Sequence, residues 1–220
     1  ALVGGSNPPC PGEISLAHNG VLFLDELPEF KRSVLEALRE PLESGQIMIS
    51  RAGKQVLFPA RFQLIAAMNP CPCGYNGSDI ICKCSKNQIS RYLAKISGPI
   101  KDRIDLHVNV NKVPINMLQK KLIANESSKV IAKRVLQARK IALQRQNKLN
   151  YKLNNTEIKK YCLLDNDATI LLQQIAEQLN ISARSYYKTL TIARTIADLN
   201  NSNAITQLHI SESLGYRITK

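Results

Sequence analysis

The chain has 220 residues, of which 44% are hydrophobic, and a formal net charge of +13. This length and apolar fraction suffice for one large domain or for a medium domain with a small partner, and they exclude a disordered or fibrous protein. The longest apolar runs are far shorter than the roughly 20 residues that cross a bilayer, and no secretory signal is present, so we expect a soluble, cytoplasmic protein without a membrane partner.

An apolar run followed by two acids is the first informative feature. Residues 21–24 are Val-Leu-Phe-Leu, and a run without polar alternation predicts a strand buried on both faces of a parallel sheet. Asp25 and Glu26 follow at its carboxyl end, where open α/β sheets bind ligands. There Asp25 can hold Mg²⁺ through its water shell, and Glu26 can orient or deprotonate an attacking water. An ordinary strand followed by a helix cap is the alternative.

A helix over 28–42 and a β-hairpin over 47–58 come next. The hairpin is predicted to turn at Ala52-Gly53, which places Arg51 and Lys54 beside the tip on one face. Two cations on a projecting ribbon can follow a phosphate backbone, and we assign them to DNA binding. Solvated turn residues are the alternative. The expected cross-strand pairs are Ile47 with Phe58 and Ile49 with Val56.

A second buried strand, over 62–68, ends in Asn69. We expect this residue at the same sheet edge as Asp25 and Glu26. A neutral amide there can hydrogen-bond an attacking water or a γ-phosphate without adding charge to an acidic site.

Four of the six cysteines lie within fourteen residues, as two Cys-x-Cys arms around an eight-residue loop. Such arms can bring four thiolates to a tetrahedral Zn²⁺, although Cys-x-x-Cys is the usual arm. Reduced free thiols and disulfide or redox chemistry are the alternatives. The four residues are Cys71, Cys73, Cys82 and Cys84.

The remaining pattern divides the chain. A helix over 87–96 and a strand over 106–110 complete an α/β domain, 1–111, and a linker, 112–127, leads to an all-helical domain, 128–220. The predicted helices of that domain cover 128–146, 156–163, 166–178, 183–199 and 206–214.

The helical half carries most of the charge. Residues 111–220 contain 18 Lys and Arg against 7 Asp and Glu, and 112–152 contain eleven basic residues with Glu126 as the single acid. This balance favours a polyanion such as nucleic acid over an acidic protein surface, and a solvated helical face is the alternative.

Four segments together resemble one family of ATPases. Segments 11–28, 39–45, 66–74 and 97–107 are similar, in order, to the magnesium-chelatase-like AAA+ ATPases, and most similar to the bacterial ComM/YifB group. The resemblance covers nearly the whole chain. It implies a partial P-loop-type parallel sheet with a β-hairpin insertion, followed by an all-helical lid, in an ATPase that assembles into hexameric rings.

The resemblance also implies residue roles. Asp25 and Glu26 would form the Walker B motif that binds Mg²⁺-ATP, and Asn69 would be sensor 1. Arg103 lies in a string like that of the arginine finger and would reach the γ-phosphate bound by the neighbouring subunit. Arg184 matches sensor 2, a phosphate contact from the lid. The hairpin would face the central pore of the ring, and the related minichromosome maintenance helicases use it on DNA.

One required motif is absent from the sequence. Such an ATPase needs a Gly-x-x-x-x-Gly-Lys-[Ser/Thr] loop whose amides hold the phosphates, and the only Gly-Lys pair, Gly53-Lys54, lacks the other positions. We expect this loop to precede Ala1 in a longer protein, and the chain alone to hydrolyse ATP poorly or not at all.

Three functions are compatible with these patterns. The first is the carboxyl-terminal part of a ring-forming, Mg²⁺-ATP-driven DNA motor, similar to helicases that act on branched DNA during recombination of transforming DNA. The second is a motor subunit for metal insertion into a porphyrin, the role of the chelatase relatives. The third is a zinc-stapled nucleic-acid-binding module without enzymatic activity.

Overall fold

The computed structural model describes residues 1–51, 53–110, 113 and 126–217, and it divides into two compact units, Ala1–Ile104 and Asp105–Lys220. The first unit is mixed α/β, and the second is helical. The predicted linker, 112–127, and the hairpin residue Ala52 lie mostly or wholly outside the described residues. Within the described residues, no helix is both long and apolar enough to cross a membrane.

The first unit contains short strands and helices around one apolar core. Its strands are β1 (Gly4–Gly5), β2 (Cys10–Pro11), β3 (Val21–Leu24), β4 (Gln46–Arg51), β5 (Lys54–Pro59) and β6 (Gln63–Ala66). Its helices are α1 (Glu13–Leu16), a 3₁₀ turn (Leu27–Glu29), α2 (Arg32–Ala37), α3 (Arg39–Ser44), α4 (Lys86–Leu93) and α5 (Gly98–Lys101).

Strands β3 and β6 form a two-stranded parallel sheet, which confirms the predicted parallel pairing. The prediction that β3 is buried on both faces is wrong. Leu22 and Leu24 are buried, but Val21 and Phe23 on the other face are 55% and 58% exposed. The reason is that the core covers only one face of this sheet, so alternate residues of an all-apolar strand remain open to solvent.

The hairpin of β4 and β5 has the predicted register. Ile47 pairs with Phe58 and Ile49 with Val56. Both isoleucines are buried, because this face of the hairpin packs on the body of the unit. Gly53 follows the undescribed tip residue with φ of 75°, a left-handed value that glycine adopts at little cost.

Two predicted elements of the first half are wrong. The helix expected over 28–42 is instead the 3₁₀ turn, α2 and α3. Phe30 has an extended backbone and ends the 3₁₀ turn before α2, and Pro41 has no backbone N–H to continue the ladder from α2 into α3. Residues 106–110 form no strand. His107 instead donates a backbone hydrogen bond to the carbonyl of Tyr216 (2.7 Å), and both residues belong to the second unit.

The second unit contains the helices that the apolar periodicity predicts; three have the predicted ends, and the ends of the other two are shifted by one or two residues. They are α6 (Ser128–Gln146), a 3₁₀ turn (Asn150–Lys152), α7 (Asn155–Tyr161), α8 (Asn166–Gln178), α9 (Ala183–Leu199) and α10 (Gln207–Gly215).

The apolar face of α6 is buried only in the second half of the helix. Ala138 and Ala142 are buried against the unit, whereas Ile131 and Val135 on the same face are 42% and 44% exposed. The described part of the unit therefore covers the second half of α6 and leaves its first two turns exposed.

A buried ionic network joins the helices of the second unit. Arg194 and Asp198 of α9 are fully buried and pair at 3.0 Å. Arg145 of α6 also binds Asp198, at 2.6 and 2.9 Å, and Asn150 donates to the same carboxylate at 2.8 Å. Arg194 donates to the carbonyl of Asn203 (2.7 Å) as well, so its guanidinium supports the fold rather than a surface contact.

Replacing Asp198 by Asn should destabilise this unit strongly, because both arginines would lose the anion that compensates them. Breaking a buried ion pair costs about 3–5 kcal/mol, whereas the exposed Arg134–Glu126 pair should be worth about 0–1 kcal/mol. Urea unfolding of Asp198→Asn and of the control Glu126→Gln measures both. Equal, small losses in the two variants would contradict the account.

His209 should make the stability depend on pH. Its Nδ1 accepts the backbone N–H of Thr206 (3.0 Å) at the start of α10, and burial, with the charge of Arg194, lowers its pKa. A lowered folded-state pKa favours the neutral ring. The stabilisation is therefore complete above the ordinary pKa, about 6.5, and is lost as pH falls through the lower folded value.

The matching test is His209→Gln, which keeps a capping acceptor at this position but cannot bind the proton. Urea midpoints measured from about pH 7.5 to 5 should fall less steeply in the variant than in the wild type. Parallel pH profiles would remove His209 from this role.

Candidate nucleotide site and cysteine cluster

The parallel register brings the acidic pair and the asparagine to one edge of the sheet. Leu24 lies opposite Ala66, and beyond this pair the hydrogen bonding continues from Ala67 N–H to the Leu24 carbonyl (2.9 Å) and from Leu27 N–H to the Ala67 carbonyl (3.0 Å). Residues 25 and 26 lie between the two bonds on the first strand, and residues 68 and 69 come directly after Ala67 on the second strand. We call Asp25, Glu26 and Asn69 the rim.

The backbone of the rim is fixed in an uncommon conformation. Glu26 has φ of 51° and ψ of 46°, the left-handed region, which non-glycine residues seldom adopt. A carboxylate oxygen of Asp25 accepts the Glu26 N–H at 2.8 Å, and both side chains lie at an exposed position. Residues held in this region are concentrated at functional sites.

Tyr92 of α4 is buried near Asn69 of the rim and was not found from the sequence. It is 6% exposed. Burial raises its pKa, the charges of Glu29 and Glu26 act in the same direction, and a hydrogen bond from the backbone N–H of Asn69 opposes them. The backbone N–H of Asn69 is thus within hydrogen-bonding reach of the Tyr92 hydroxyl, which places Tyr92 beside the segment that follows β6.

The four clustered cysteines meet at one point in the first unit. Their sulfur atoms all lie within 4.8 Å of one another, and the measured separations are 3.4 Å for Cys71–Cys73, 3.7 Å for Cys71–Cys82 and 3.5 Å for Cys73–Cys82. Four sulfurs at the Zn–S distance of about 2.3 Å from a tetrahedral centre are about 3.8 Å apart. The cluster fits a zinc ion, and the thiols are not joined as disulfides.

The charges inside the cluster also fit a cation. Backbone N–H groups of Tyr75 and Lys83 donate to Cys73 and lower its pKa to about 6, whereas the neighbouring Cys73 sulfur raises the pKa of Cys84 to about 12. Four thiolates repel one another without a positive ion between them. A bound metal would replace the remaining protons.

Arg103 is held inside the first unit. Its guanidinium donates to the carbonyl of Pro99 (2.8 Å) and pairs with Glu43 of α3, and its side chain is only 12% exposed. Glu43 belongs to the segment 39–45 of the family resemblance, although no role was assigned to it there.

Arg184 lies at the start of α9 in the second unit, where Ser182 caps the helix by accepting the Ser185 N–H (3.2 Å). It lines a groove of about 770 Å³ along α9, together with Tyr187, Lys188 and Tyr151. Lys188 pairs with Asp105, and burial lowers its pKa.

The hairpin cations lie on the face that carries the buried isoleucines. Arg51 and Lys54 are cross-strand partners at the described end of the ribbon, and both are exposed. Arg51 lies near Gly5, where an added β-carbon would come within 3.8 Å of its Nε.

Sequence reasoning found the rim and the cysteines but missed Tyr92 and the Arg103–Glu43 pair. The signal that was available for Tyr92 is the capping box of Ser85 and Gln88, which fixes the start of α4 directly after the cysteines. That signal locates the helix, but not the surface on which it packs.

Comparison with known proteins identifies two family models. The model described as magnesium chelatase, subunit ChlI, matches residues 1–118, and that described as magnesium chelatase, subunit ChlI C-terminal, matches residues 125–217.

Individual relatives extend this similarity over the whole chain. The chain is 50% identical to competence protein ComM of Haemophilus influenzae and 48% identical to the uncharacterized protein YifB of Escherichia coli, over 99% of its own length and 42% and 43% of theirs. It thus spans about two fifths of these relatives. It is also 34% identical to DNA replication licensing factor mcm6 of Schizosaccharomyces pombe, over 43% of this chain and 10% of that protein.

Proposed function

Because the chain belongs to the magnesium-chelatase family, we propose that it is the carboxyl-terminal part of a ring-forming, Mg²⁺-ATP-dependent AAA+ motor that acts on DNA. The observation that carries the proposal is the in-register pairing of β3 with β6, because it joins two adjacent carboxylates and an amide at one sheet edge. Proteins use this edge of an α/β sheet for ligands.

In ATP hydrolysis, each of the three rim residues would have its own task. Asp25 would hold Mg²⁺, which supplies charge neutralisation for the phosphates. Glu26 would orient or deprotonate the attacking water, and Asn69 would hydrogen-bond that water or the γ-phosphate. Because Asp25 accepts the Glu26 N–H, its carboxylate fixes the backbone that carries the second acid.

Two arginines would complete the site in the assembled ring. Arg103 would reach the nucleotide of the neighbouring subunit, and Arg184 would contact phosphate from the helical lid. Arg103 would have to exchange Glu43 for the phosphate, since the two now pair. Arginine binds carboxylate and phosphate oxygens with the same fork geometry, so this exchange needs no new type of contact.

DNA is the partner that charge and relatives favour. The exposed Arg51 and Lys54 lie at the end of the hairpin, and residues 111–220 contribute +11 of the net charge. Of the relatives, one is named a competence protein and another a DNA replication licensing factor. A motor that inserts metal into a porphyrin is the second candidate, favoured by the description of the matching family models.

Zinc would serve as a structural staple on the first unit. The cysteine cluster begins at Cys71, two residues after Asn69 of the rim. A closed four-sulfur site leaves no position for substrate, so the ion would fix the loop after Asn69 rather than take part in hydrolysis.

Glu26→Gln in the full-length protein tests the ATPase proposal. The amide keeps the shape of the side chain but cannot accept a proton, so nucleotide binding should persist while turnover falls by about 10² or more. Steady-state hydrolysis and equilibrium binding measure the two effects, and Glu40→Gln, a carboxylate on α3 away from the rim, is the control. Unchanged turnover would reject Glu26 as the base, and a wild-type protein without ATPase activity would favour the non-enzymatic nucleic-acid-binding module.

Metal analysis tests the staple. Purified chain should contain about one equivalent of zinc, and Cys82→Ser should lose the metal and unfold at lower temperature, whereas Cys10→Ser, outside the cluster, should keep both. A metal-free wild-type protein that unfolds at the same temperature with and without added zinc would exclude the site.

A further inference from the structure

We propose that the exposed face of α6 bearing Lys129, Lys133 and Lys140 binds the phosphate backbone of a nucleic acid, as a second surface separate from the hairpin cations. The inference rests on the proposed action on DNA, which it extends to the helical unit. We call these three residues the lysine row.

The helical geometry aligns the lysine row. At about 100° per residue, the three positions fall within an arc of about 40° and span about 16 Å of the helix axis. Ala138 and Ala142, which are buried against the unit, lie on the opposite side of α6. The row therefore faces away from the core, and all three lysines are exposed.

The ion pairs of α6 separate this face from the rest of the helix. The helix has six basic residues and no acid. Two arginines are used within the unit, because Arg134 binds Glu126 (2.8 Å) and Arg145 binds Asp198. In the described part of the chain, the lysine row makes no ion pair or side-chain hydrogen bond.

Helix stability does not explain the row. Lys129 and Lys133 are four residues apart, and like charges at this spacing destabilise a helix. Their repulsion is not compensated by acids on the same helix, and the surrounding half of the chain is already strongly positive. A bound polyanion would remove the repulsion.

The residue type favours nucleic acid over an acidic protein. Lysine is depleted in protein–protein interfaces, where burial of its ammonium is costly, but it is a regular point-charge partner of phosphate. A straight row of separate ammonium groups on one helix matches a continuous backbone of phosphates.

The test uses the whole 220-residue chain and labelled single-stranded and duplex oligonucleotides of equal length. Fluorescence anisotropy over a series of salt concentrations gives the slope of log affinity against log salt. The triple variant Lys129→Gln, Lys133→Gln, Lys140→Gln is compared with a control of equal charge change on other exposed lysines, Lys152→Gln, Lys159→Gln, Lys160→Gln.

Removal of three phosphate contacts should reduce the magnitude of the slope by about 2 for single strands and about 3 for duplex, whereas the control should stay near the wild type. Replacing the row by Arg should retain the wild-type slope. Gln removes the repulsion within α6 and should not lower the unfolding temperature, which circular dichroism checks.

Three results would overturn the inference. In the first, the row variant keeps the wild-type slope while Arg51→Gln, Lys54→Gln abolishes binding, and the DNA-acting motor then survives without this surface. In the second, the control loses as much slope as the row variant, which would show that binding depends on the total charge and not on the position of the lysines. In the third, the wild-type chain shows no salt-dependent binding of either oligonucleotide. This result would reject the binding of DNA by the helical unit as a whole.

Discussion

The pairing of β3 with β6 is the constraint on which the functional reading depends. These strands are far apart in the sequence. Their parallel register is what places Asp25, Glu26 and Asn69 at the same edge of the sheet. A register shifted by one residue would turn every side chain of one strand to the opposite face. Leu22 and Leu24 hold the register, because they are the residues of β3 that reach the core.

The two units are stabilised by different means, each suited to what it carries. The first has a small apolar core, and beside that core it contains the buried Tyr92, the cysteine cluster and the Arg103–Glu43 pair. The second combines an apolar core with a buried ionic network, in which Asp198 serves two arginines. Two arginines belong to that network, whereas most of the other lysines and arginines that the structure describes in this unit are exposed.

Much of the fold, and the membership of the candidate site, could be predicted from sequence because they depend on local patterns. The hairpin register followed from alternating apolar pairs, the helices of the second unit from their periodicity, and the cysteine cluster from its spacing. Long-range packing could not be predicted in this way. The run 106–110 has a strand pattern, but no strand among the residues that the structure describes pairs with it. The open face of β3 depends on what covers it, and Tyr92 acquires its place only through the packing of α4.

A structure of the full-length protein with Mg²⁺ and a non-hydrolysable ATP analogue would test the central claim most directly. We expect Asp25 to contact the metal through a water molecule bound to that metal. The carboxylate of Glu26 and the amide of Asn69 should both face the terminal phosphate. A nucleotide bound elsewhere, with these three side chains unchanged and without contact to it, would contradict the assignment of the rim as the site of hydrolysis.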